Sequence, residues 1–135
     1  MASSLQQSGA FVILGAAGGL GAPIARALAA DGASLVLAGR TLDRLQPLAD
    51  ELSATAQTVE ASDFAAVEAL LAAARERHGR VAGVVNAVGS ILLKPAHLTS
   101  EAELAETLRL NLQTAFAVVR AAGRVMTDGG SVLLF

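Results

Sequence analysis

Four groups of residues in this 135-residue sequence have types and spacing suited to chemistry. The first is the run Gly15-Ala16-Ala17-Gly18-Gly19-Leu20-Gly21. Glycines allow a tight turn and let backbone N–H groups approach an anion closely. Ala16 and Ala17 keep bulk out of the way. The glycines fit G-x-x-x-G-x-G through Gly15, Gly19 and Gly21, and G-x-x-G-x-x-G through Gly15, Gly18 and Gly21; both stay open, and G-x-G-x-x-G is absent. The second group is Arg40-Thr41, a planar guanidinium fork suited to phosphate beside a hydroxyl donor. The third and fourth are Asn86 and Asn111, amides that both donate and accept. Each has a plainer alternative. These are a close-packed turn, a solvated arginine, a strand-end polar group and a helix-bracing amide.

Other chemistries are excluded by residue type. The sequence has no Cys, Trp or Tyr. That removes disulfides, a thiolate nucleophile, a Cys-based zinc site and a phenol acid. The one lysine, Lys94, precedes Pro95 in what reads as a turn. His97 has no second ligand at metal spacing, so no metal site is expected. His78 stands beside Gly79, where it complements a helix C-terminus. Ser131 has no accompanying base and is not a nucleophile candidate.

The elements that must position the four groups can be traced along the chain. Residues 1–9 are small and polar and read as a flexible terminus. Residues 10–14 (AFVIL) form an apolar run that reads as a strand buried on both faces. A helix from 20 to 30 follows the glycine run, and Asp31-Gly32 stops it. Residues 34–38 read as a second buried strand. Thr41 can cap a helix to about 53, with Pro47 expected to kink it or delay its start. Residues 55–60 read as a weaker strand. Asp63 then caps a helix with Val67, Leu70, Leu71 and Ala74 on one face, closed by Gly79. Residues 81–87 read as a fourth strand and 88–99 as a loop. Ser100 and Glu103 make a capping box for a long helix over 101–126, with Leu104, Leu108, Asn111, Ala115 and Val119 as its apolar stripe. A fifth strand begins at Ser131. Strands alternating with helices predict an α/β fold over residues 10–135, a Rossmann-type doubly wound parallel sheet of five strands with right-handed crossovers.

That context gives the glycine run its meaning. It follows a strand and opens a helix, as a pyrophosphate-binding loop does. The end of the second strand then meets the adenosine ribose, where an acid selects NAD and an arginine accommodates the 2′-phosphate of NADP. Here the sequence reads Ala38-Gly39-Arg40-Thr41, and the nearest acid, Asp43, opens the next helix. The expected cofactor is NADP(H).

The ordered motifs resemble the short-chain dehydrogenase/reductase family over nearly the whole chain, from Ala10 to Phe135. Leu14-Gly15-Ala16-Ala17-Gly18-Gly19-Leu20-Gly21 is similar to that family's TGxxxGxG, with Leu14 where Thr is usual. Ser62-Asp63-Phe64 looks like the segment that contacts adenine. Asn86-Ala87-Val88-Gly89 resembles NNAG, with Ala and Val replacing the second Asn and the Ala. Leu110-Asn111-Leu112 matches the position of a catalytic-tetrad Asn. The resemblance implies cofactor contacts from Gly15, Ala17, Gly18, Gly19, Leu20, Gly21, Arg40, Thr41, Asp63, Phe64, Asn86, Ala87 and Gly89. It implies a proton-relay role for Asn111, through a water held at a local helix irregularity. It also implies a serine after the fifth strand and a Tyr-x-x-x-Lys beyond it, which this sequence does not contain. The expectation is therefore the cofactor-binding half of an NADP(H)-dependent oxidoreductase acting on a small carbonyl or alcohol substrate. Such a half would bind cofactor without turnover. The alternatives are a non-catalytic nucleotide-binding module, a truncated product, or a Rossmann domain of an extended epimerase or quinone-reductase-like enzyme.

Composition sets the expected partners. A formal net charge of -2 gives no general attraction to nucleic acid or an anionic membrane. The uncharged N-terminal stretch lacks a basic region, and its glycines interrupt any signal-like apolar run. A cytoplasmic protein is expected. In the family's sheet order the fifth strand would be an exposed edge of apolar residues, so a homo-oligomer or other self-association is also expected.

Overall fold

The computed structural model describes residues 8–135. Most of the expected flexible terminus, residues 1–7, lies outside the described residues. The apolar run after Gly9 forms β1 (Ala10–Leu14). It is followed by α1 (Gly21–Ala30), β2 (Ser34–Gly39), α2 (Leu42–Leu52) and β3 (Thr55–Thr58). Then come α3 (Phe64–His78), β4 (Val81–Asn86), a single 3₁₀ turn (Ala96–Leu98) and α4 (Glu101–Leu108). A π turn (Arg109–Gln113) joins α4 to α5 (Thr114–Val125), and β5 (Ser131–Leu134) completes the order.

The five strands form one parallel sheet in the order β3-β2-β1-β4-β5. Alternation along each strand divides the core between the two faces. Val12 and Leu14 of β1, with Val36 and Ala38 of β2, pack with Val67, Leu70 and Leu71 of α3 and with Val118 of α5. Ile13, Leu35 and Leu37 face the other way and pack with Ala25 of α1 and Leu45 and Leu48 of α2. This is the doubly wound arrangement expected from the sequence. The described residues contain no helix long and apolar enough to cross a membrane.

Several local readings change. β3 stops at Thr58, because from Val59 the chain leaves the sheet to wall a cleft. β4 ends at Asn86, one residue short of the expected end. Pro47 lies inside an uninterrupted α2 rather than delaying its start; it and Asp43 are both exposed, so water can take the carbonyl that proline leaves without a donor. The long helix is two helices joined by the π turn. The expected stripe is also misplaced: Leu104 and Val119 are half exposed, and the buried face of α5 is Thr114, Ala117, Val118, Ala121 and Ala122. A π turn inserts one residue and rotates the following helix, so a 3.6-residue stripe cannot run straight through it. Small residues on the true inner face let α5 sit close against α3 and β4.

Candidate active site

Gly15 follows β1 with φ +72°, a left-handed conformation that favours glycine. A Cβ there would also come within 2.9 Å of the Ala87 carbonyl group. The turn is pinned to both neighbouring strands: Gly15 and Ala16 donate backbone N–H bonds to the Ala38 carbonyl at 2.9 and 3.2 Å, and Ala87 donates to the Leu14 carbonyl at 2.9 Å. Gly21 is buried, and a Cβ on it would overlap the Gly15 carbonyl oxygen. Gly19 faces open space. Among the described residues no acceptor takes the amides of Gly19 or Leu20, at the start of α1. Both glycine spacings therefore have a physical basis: Gly15 and Gly21 are required by close packing, Gly18 sits tight against the turn, and Gly19 leaves the surface clear.

The carboxyl ends of β1, β2, β3 and β4 surround a cleft of about 320 Å³. It lies at the switch point, where the connection after β3 crosses to the far side of β1. Of the residues singled out in the sequence, Gly15, Ala17, Gly18, Arg40, Thr41, Ala87 and Gly89 line it. Gly19 and Leu20 are exposed and are not among the lining residues, and Gly21 is buried beneath the loop. Leu20 is the residue before α1 and supplies no side-chain cap.

Asp63 and Phe64 are not among the lining residues. The Asp63 carboxylate accepts the Ala66 N–H at 3.0 Å and caps α3. Phe64 turns away to pack on Phe116, with ring centroids 5.6 Å apart, and Arg120 lies over its ring. Arg44, Glu60 and Leu110 line the cleft without having been singled out. Arg44 carried one usable signal, its position four residues after Arg40.

Glu60 is held rather than free. Its Oε1 accepts from the Ser62 hydroxyl at 2.8 Å, the Ser62 N–H at 3.2 Å and Arg109 at 3.2 Å. The Ser62 hydroxyl is the main cause that keeps this carboxyl below the usual range, followed by the Ser62 N–H and, more weakly, Arg109. Arg109 also donates to both oxygens of Glu106 at 2.8 Å and to the Ser62 hydroxyl at 2.7 Å. Gln113 donates to the Ser62 carbonyl at 2.9 Å. The π turn is thereby tied to the wall formed after β3.

The two asparagines brace the opposite wall. Asn86 is 1% exposed; its Nδ2 donates to Thr114 Oγ1 at 3.2 Å, and its Oδ1 accepts the Val88 N–H at 3.2 Å. Thr114 in turn donates to the Leu110 carbonyl at 2.8 Å. Asn111 lies within the π turn. Its Oδ1 accepts the Ser90 N–H at 3.0 Å, and its Nδ2 donates to the Thr107 carbonyl at 2.9 Å and to Ser90 Oγ at 3.3 Å. Side chains thus satisfy the carbonyls of Thr107 and Leu110 around a turn that departs from α-helical spacing. Among the described residues no three His, Cys, Asp or Glu side chains converge as a metal site.

This geometry is what a dinucleotide needs: a turn whose backbone is bare, a helix N-terminus with open amides, and a cleft across the strand ends. Comparison with known proteins agrees. The family model described as Enoyl-(Acyl carrier protein) reductase matches residues 15–135. The chain belongs to the short-chain dehydrogenase/reductase family. Its relatives include an uncharacterized oxidoreductase of Mycobacterium tuberculosis, 36% identical over 95% of this chain and 50% of that protein. Another is the enoyl-(acyl-carrier-protein) reductase (NADH) 1 of Rhizobium meliloti, 37% identical over 82% of this chain and 43% of that protein. An alcohol dehydrogenase of Thermococcus sibiricus, solved in complex with 5-hydroxy-NADP, superposes with a TM-score of 0.86 at 34% identity, over 93% of this chain and 57% of that one. The chain spans about half the length of the curated relatives it matches.

Proposed function

We propose that the chain is the cofactor-binding part of an NADP(H)-dependent short-chain oxidoreductase that acts in the cytoplasm on a small carbonyl or alcohol substrate. When bound, the nicotinamide supplies or accepts the hydride. The protein's own residues bind and orient. The open amides of Gly19 and Leu20, at the start of α1, take the pyrophosphate. Arg40, with the Thr41 hydroxyl, takes the adenosine 2′-phosphate. Ala87 and Gly89 offer backbone along the nicotinamide end. Asn111 belongs to a proton relay and holds its place through Ser90 and the Thr107 carbonyl. The proton donor and its lysine lie outside this sequence, so the 135-residue chain alone binds cofactor without turnover.

The observation that carries the reading is Arg40 and Thr41 lining the same cleft as the glycine turn, with no carboxylate at the end of β2. Glu60 also lines the cleft but is engaged by Ser62 and Arg109. Fluorescence titration of the chain with NADPH and NADH tests it. Tighter NADPH binding is expected, with the preference lost in Arg40→Ala. Equal or tighter NADH binding would refute the cofactor assignment.

A further inference from the structure

Two arginines line the β2 end of the cleft, Arg40 and Arg44. Five other arginines are committed to carboxylates: Arg26 to Glu51, Arg75 to Asp128, Arg109 to Glu60 and Glu106, and Arg120 and Arg124 to Glu68. Among the described residues, neither the Arg40 nor the Arg44 side chain has a hydrogen-bond or ion-pair partner. Two of the acids near them are taken. Glu60, also in the cleft, is held by Ser62 and Arg109, and Glu106, which feels the charge of Arg40, is bound through both oxygens by Arg109. Thr41 occupies the N-cap position of α2, yet its side chain makes no cap bond.

Arg44 is also placed against its local electrostatics. It is the third residue of α2, in the first turn, where the helix dipole disfavours a cation. Two like charges lining one cleft raise each other's energy as well. Both penalties reverse when an anion enters. A phosphomonoester carries about −1.5 to −2 charge at neutral pH. Arg40 alone supplies one positive charge, and a second guanidinium completes the match.

We infer that Arg44 is a second specificity-determining residue, sharing the cofactor 2′-phosphate with Arg40. This rests on the NADP(H) reading above. Affinities of the full chain for NADPH and NADH, measured by fluorescence titration in the wild type and in Arg40→Ala, Arg44→Ala and Arg44→Met, test it. Arg44→Met keeps the aliphatic stem and removes only the charge. Loss of one charge-assisted contact is expected to weaken NADPH binding roughly tenfold in both Arg44 variants, with NADH unchanged to within about twofold. Retained NADH affinity shows that the variants are folded. The salt dependence of NADPH binding is expected to flatten in the same variants.

If the wild type prefers NADPH and loses that preference in Arg40→Ala but not in either Arg44 variant, this inference is overturned while the cofactor reading stands. An equal loss for NADPH and NADH overturns it too, since Arg44 would then be supporting the site in general. If the wild type shows no NADPH preference, both readings fall together.

Discussion

Gly21 and Gly19 stand two residues apart in one loop and are constrained differently. A methyl group on Gly21 would overlap the Gly15 carbonyl oxygen, whereas one on Gly19 would meet nothing. Gly21→Ala is therefore expected to lower stability by about 1–3 kcal/mol, as overpacking does, and to abolish NADPH binding. Gly19→Ala is expected to keep the fold. Urea denaturation and NADPH titration of both variants check this, and equal destabilisation would contradict it. The glycine turn and Arg40 were legible in the sequence because their spacing and strand context carry the physics directly. Asp63 and Phe64 were less so. A short Ser-Asp-Phe segment reads the same whether its side chains enter a cleft or, as here, cap α3 and pack on Phe116. Arg44 was missed because a first-turn arginine reads as solvated until the cleft beside it is visible.

At the scale of elements, helix ends were the most legible feature. Asp63 and Gly79 bound α3 as expected, and the Ser100–Glu103 capping box forms in full. Glu103 accepts the Ser100 N–H and hydroxyl and both of its oxygens take the Lys94 ammonium. The Ser100 N–H first, then Lys94 and the Ser100 hydroxyl, bring its pKa from 4.5 down to about 2. A carboxyl lowered on folding contributes stability that is present above the unfolded value and is lost as pH falls toward the folded one. The wild type is thus expected to melt higher than Glu103→Gln at neutral pH, with the gap closing between pH 4.5 and 2. A gap that stays constant across that window in thermal melts would show that the charge on Glu103 contributes nothing. The π turn was not legible from the residue pattern. Leucine occurs on both sides of the 104–119 segment, so an extrapolated stripe found apolar residues on the wrong face. Its position is fixed by side-chain bonds from Asn111 and Thr114 that no periodicity encodes.

For the whole molecule, the parallel sheet with two core faces followed from the alternation of buried strands and helices, and the strand order from the family resemblance. The surface also carries exposed apolar side chains outside that core. Leu108, Leu112 and Phe116 are 48%, 62% and 58% exposed and border a shallow groove with Phe64. On the edge strand β5, Val132, Leu133 and Leu134 are also open. Patches of this kind favour association with a second copy. The chain is expected to self-associate with rising concentration, and Leu112→Glu with Phe116→Glu is expected to reduce that association without lowering the melting temperature. Light scattering across a concentration series checks it, and a monomer at every concentration would contradict it.

The same sheet order has a consequence in time. β1 leaves the ribosome before the other four strands of this sheet, yet it lies at the centre, between β2 and β4. At ordinary rates of synthesis, several seconds separate the emergence of β1 from that of β4. β2 can cover one side of β1 early, through the short α1 crossover. The other side, which carries the Leu14 carbonyl that Ala87 will claim, must wait. The nascent chain therefore carries an apolar strand with one side unpaired until β4 emerges, and the Ala87–Leu14 bond that pins the glycine turn to β4 can form only then.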